Sequence, residues 1–140
     1  MVHALSEIWR VLVPDGILLD LRPLSGRLPI EIVSARAIRE VGHLQDLEDC
    51  LRDDEAANHA MAQAEGQGWF IRQAEDSFPF VYSWDTPSEM EEWIETEWQD
   101  YTRLDDESKQ AALSAWASAD ADARVQVKVK MLITRWKVIK

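Results

Sequence analysis

The stretch Val125 to Ile139 runs without a single glycine, proline or asparagine. Val125, Val127, Val129, Met131 and Ile133 share one parity. Leu132, Thr134, Trp136 and Val138 share the other, and polar residues alternate cleanly only as far as Lys130. A hairpin needs turn chemistry at its apex, and none is present. The pattern therefore predicts one long strand, bulged near Met131, rather than a hairpin. A strand of that length needs a sheet to lie in, so the rest of the chain must supply one.

The first part of the chain supplies a helix, a turn and a strand. Leu5, Ile8, Trp9 and Leu12 recur at helical spacing over Val2 to Leu12. Pro14 stops that helix, and Pro14-Asp15-Gly16 is a turn. Ile17-Leu18-Leu19-Asp20-Leu21 is apolar at four of five positions without alternation, which predicts a strand covered on both faces. Pro29 to Val33 and Ala37 to Val41 read as an antiparallel pair ending near Gly42. Their link, Ser34-Ala35-Arg36, lacks a tight-turn signal.

Leu44 to Gln67 reads as a helix with Leu47, Leu51, Ala57, Ala60, Met61 and Ala64 inward, closed by Gly66-Gln67-Gly68. Two strand segments follow, Trp69 to Arg72 and Phe78 to Trp84. In the second, Phe78, Phe80, Tyr82 and Trp84 share one face. Thr86-Pro87-Ser88-Glu89 is a capping box with proline at the first helical position. It predicts an amphipathic helix to about Leu104, with Met90, Trp93, Ile94, Trp98 and Tyr101 on its apolar side. A further helix is expected from Glu107 to Ser118.

A chain of 140 residues can bury a core of its own, and residues 1–140 read as one domain. The formal charge of -11 argues against nucleic acid as a partner, since phosphate would meet mostly carboxylate. Cys50 is the only cysteine, so no intrachain disulfide can form, and a cytoplasmic setting is expected. Its acidic surroundings disfavour a thiolate nucleophile. No apolar run is long enough to span a membrane, and the N-terminus lacks the pattern of a signal peptide.

Ala4-Leu5-Ser6-Glu7-Ile8-Trp9-Arg10-Val11-Leu12-Val13-Pro14-Asp15-Gly16 resembles a segment of class I S-adenosylmethionine-dependent methyltransferases. In that family a helix ending E-x-x-R-V-L-K-P-G-G leads into the fifth strand of the central sheet. Here Asp15 stands for the first glycine and Val13 for the lysine. "FPFVYSWDTPSEMEEWI" resembles the sixth strand and the capped helix that follows it, and "VKVKMLITRWKVIK" resembles the closing seventh strand. The resemblance implies an α+β chain: a partial Rossmann-like methyltransferase half-fold, with a mixed or antiparallel sheet and packed helices.

It also implies a departure. The family holds its cofactor with a Gly-rich turn after the first strand and an acidic residue after the second. The five glycines here, Gly16, Gly26, Gly42, Gly66 and Gly68, include no such turn. No cofactor-binding, catalytic or metal-binding residue is therefore assigned. The expected function is that of a non-catalytic methyltransferase-like domain. It would self-associate as a homodimer, covering the open flank of the Ile17–Leu21 strand, or partner a complete or split methyltransferase. The alternative is a small-ligand-binding α+β domain with an aromatic-lined pocket. The candidate pocket or interface residues are His43, Trp69, Phe80, Tyr82, Trp84, Trp93, Trp98 and Tyr101, with Arg22 as a further polar contact. His3, His43 and His59 show no metal-ligand spacing. The clusters Asp53-Asp54-Glu55 and Asp105-Asp106-Glu107 read as solvated faces and helix-start charges.

Overall fold

A computed structural model describes residues 1–140. Four helices and six strands alternate along the chain: α1 (Val2–Val11), β1 (Ile17–Pro23), β2 (Arg27–Val33), β3 (Ile38–Asp46), α2 (Glu48–Gly66), β4 (Phe70–Trp84), α3 (Pro87–Glu97), β5 (Thr102–Arg103), α4 (Asp106–Ala117) and β6 (Arg124–Val138). The class is α+β. The strands pair in the order β1-β6-β2-β3-β5, and β4 also pairs with β6. The pairings with a defined register are all antiparallel.

The final fifteen-residue strand forms as one piece. Without turn residues, its backbone groups are satisfied by neighbouring strands rather than by folding back. Its buried residues switch from one parity to the other along its length. Val125, Val127 and Val129 are buried in its first half, and Thr134, Trp136 and Val138 in its second. Met131, Leu132 and Ile133 between them are half-buried.

The chain forms two compact units, and β4 and β6 contribute to both. The first unit comprises residues 1–24, 51–78 and 131–140. Here β1 pairs with β6 from Ile17↔Lys137 to Pro23↔Met131. The core holds Leu5 of α1, Ala60, Met61 and Ala64 of α2, Phe70 of β4, and Trp136 and Val138 of β6. Trp9 stacks on Trp69 with ring centroids 6.1 Å apart and donates its indole N–H to the Ile139 carbonyl.

The helices cover only one face of this sheet. Along β1, exposed and half-buried residues alternate, and Ile17, Leu19 and Leu21 are the exposed set, with Leu19 59% and Leu21 56% accessible. The expected burial of this strand on both faces is therefore corrected. The half-buried set is Leu18, Asp20 and Arg22, so the apolar row of this strand is the one this chain leaves uncovered. Leu51 is likewise exposed rather than inward.

The second unit comprises residues 25–50 and 79–130. β2 and β3 form the expected antiparallel hairpin, with a bulge between Ile30 and Glu31. The missing turn signal is supplied by a serine. Ser34 Oγ accepts the Arg36 and Ala37 N–H groups while Ser34 N–H donates to the Ala37 carbonyl. β3 continues past Gly42 to Asp46, so Leu44, fully buried, is a strand residue and not the start of a helix.

Two further boundaries differ from expectation. β4 is one strand over Phe70–Trp84, where the sequence suggests two segments. α3 stops at Glu97, because Thr102 and Arg103 leave it to pair with Asp46 and Gln45 of β3. Thr102 Oγ1 also donates to the Gln45 carbonyl at 2.7 Å. Strand pairing here outweighs the helical periodicity that reached Leu104. The expected cap forms, with Thr86 Oγ1 accepting the Glu89 N–H at 3.2 Å. The Glu89 carboxylate returns to the N–H of Asp85, one residue earlier than in the usual box.

Candidate functional site

Five of the eight candidate residues come together. Phe80, Tyr82 and Trp84 alternate along the end of β4, which turns their rings to one face. Trp93 projects from α3, and Trp98 is its C-terminal cap residue. Phe80 meets Tyr82 edge-on at 5.1 Å, and Tyr82 meets Trp98 edge-on at 4.7 Å. Trp84 lies 6.2 Å from Tyr82 and Trp98 and 6.4 Å from Trp93. These are the offset and edge-to-face spacings that aromatic pairs prefer. The rings therefore fill the space among themselves. Phe80 and Trp93 leave 49% and 40% of their surface exposed, so the group is a surface platform and not a closed core.

The other three candidates take no part in these ring pairs. Trp69 belongs to the first unit, stacked on Trp9. Tyr101 is 60% exposed, and its main chain is what the fold uses. Its carbonyl accepts the Leu47 N–H and the Cys50 S–H. His43 sits on β3 against α4, its N–H and carbonyl both bonded to Ser108 Oγ.

Around α4 the electrostatics follow from helix capping. Asp105 accepts the Ser108 N–H at 2.6 Å. That backbone hydrogen bond, the Ser108 hydroxyl and the nearby His43 hold its carboxyl below the usual aspartate range. Lys109 is ion-paired with Glu91 of α3, and this bond raises the ammonium pKa. Glu31, nearly buried on β2, accepts Gln126 Nε2 at 2.6 Å and Lys128 Nζ at 3.0 Å. Each of these charged groups is held by a neighbouring side chain or backbone group. No group of three or more His, Cys, Asp or Glu side chains is placed to hold a metal ion.

A shallow hollow of about 260 Å³ in the second unit is lined by Ile32, Ser34, Ala37, Arg39, Ala115, Ser118, Ala119 and Asp120. The aromatic platform has no part in it. Sequence reasoning missed it, because five of its eight lining residues are alanines and serines and its two charges, Arg39 and Asp120, are far apart in the chain. In the first unit, Arg22 donates to Asn58 Oδ1 at 2.6 Å and lies 3.4 Å from Asp20. No helix is long and apolar enough to cross a membrane.

Comparison with known proteins gives no family, curated protein or solved structure that matches this chain.

Proposed function

We propose that the chain is a non-catalytic methyltransferase-like domain that acts by association. Its partner is a second copy of itself or a complete or split methyltransferase. The observation that carries this reading is the strand pairing around β6. The three segments that resemble the fifth, sixth and closing strands of the methyltransferase sheet are β1, β4 and β6. β6 pairs with both of the others, and α1 leads straight into β1 as the resemblance requires. The exposed apolar row Ile17, Leu19 and Leu21 adds to it, since an apolar sheet face of this kind is a place for another layer to pack.

The aromatic platform is the observation behind the second reading, a small-ligand site. It is less favoured because its rings already occupy one another's faces.

Calorimetric titration of the purified chain with S-adenosylmethionine tests the proposal. No heat of binding is expected, because the sequence holds no Gly-rich turn to receive the cofactor. Micromolar binding would contradict the non-catalytic reading.

A further inference from the structure

β4 has β6 on one edge and no strand on the other. All residues from Ile71 to Val81 are exposed, so this edge stands open on both faces as well. An open edge is a row of unmet N–H and C=O groups, which a second strand can complete. Resting on the association reading, we infer that the free edge of β4 pairs antiparallel with the same edge of a second copy, centred on Ala74.

The register follows from direction and charge. The Trp69 carbonyl points to β6, where it accepts the Ile139 N–H at 3.0 Å. Backbone groups alternate in direction along a strand, so the even residues Arg72, Ala74 and Asp76 turn theirs to the open edge. The Arg72 N–H agrees: it donates to the Glu65 carboxylate of α2, at a long 3.4 Å. Centred on Ala74, a twofold pairing sets Arg72 of each copy opposite Asp76 of the other. That gives two opposite-charge pairs and no like-charge pair. Sliding so that residue 72, 75 or 76 meets its own copy sets Arg against Arg, Glu against Glu or Asp against Asp. Centring on Gln73 leaves Arg72 opposite an alanine. Pro79, without an N–H, bounds the ladder just past Phe78. The present Arg72–Glu75 ion pair, 3.1 Å long and half exposed, is weak enough to exchange.

Sedimentation equilibrium of the full chain, with cross-linking, tests the assignment. Arg72→Glu should weaken the dimer by about tenfold or more, and Arg72→Asp combined with Asp76→Arg should restore it. In a Cys50→Ala background, Ala74→Cys should form an intermolecular disulfide, since opposed strand residues lie about 5.5 Å apart. Ser77→Cys, displaced from its own copy, should not. A wild-type dimer that ignores Arg72→Glu and leaves Ala74→Cys uncrosslinked overturns this edge while leaving association intact. A wild-type chain that stays monomeric overturns this edge pairing and self-association together.

Discussion

Gly42 on β3 lies so close to Ser108 on α4 that a Cβ at position 42 would meet Ser108 Oγ at 2.7 Å and Ser108 Cβ at 2.8 Å. The Ser108 hydroxyl occupies the gap and bonds to both backbone groups of His43. Gly42→Ala should therefore destabilise the protein by about 1–3 kcal/mol through overpacking. The penalty should shrink in a Ser108→Gly background, because the atoms in conflict are gone. Urea unfolding of the two single variants and the double variant measures both effects.

The two faces of the first unit's sheet should respond differently to substitution. Phe70 is 1% exposed among the core residues, and Phe70→Ala should cost about 3–5 kcal/mol. Leu19→Ser, on the uncovered face, should change stability by no more than about 0.5 kcal/mol. It should also lower the binding of an apolar dye such as ANS. A large loss of stability from Leu19→Ser in the monomer would mean that the face is already covered.

Much of this architecture was legible in the sequence, and the misses have physical causes. The Val125–Ile139 strand and the Thr86 cap could be read because each rests on local chemistry: absent turn residues in one, a hydroxyl with a Glu three residues on in the other. The end of α3 could not be read, because it is set by strand pairing of Thr102 and Arg103 with residues more than fifty positions away. The apolar run of β1 was legible, but not that its row Ile17, Leu19 and Leu21 would lie on an uncovered face. The aromatic platform was legible as far as residues alternate on β4 and recur on α3. Trp69 and Tyr101 share the aromatic composition but enter none of the platform's ring pairs.

The α4 cap should be visible in the acid limb of stability. Asp105 has a carboxyl pKa below the ordinary aspartate value, chiefly because it accepts the Ser108 N–H. A depressed folded-state pKa stabilises the fold above the unfolded value, and that contribution is lost as pH falls through the folded one. Asp105→Asn should therefore remove part of the stability loss on acidification below about pH 4. Thermal unfolding of wild type and variant between neutral and strongly acidic pH gives the comparison. Identical pH profiles would remove Asp105 as a contributor.

The ring pair Tyr82–Trp98, edge-on at 4.7 Å, should show measurable coupling. A double-mutant cycle with Tyr82→Ala and Trp98→Ala should return about 0.5–1.5 kcal/mol. Additive losses would mean that the rings are neighbours without mutual stabilisation.

Association is the central claim, and the mass of the wild-type chain in solution tests it most directly. Light scattering at tens of micromolar should give twice 16.1 kDa. A mass of 16.1 kDa held across the whole accessible concentration range would contradict self-association.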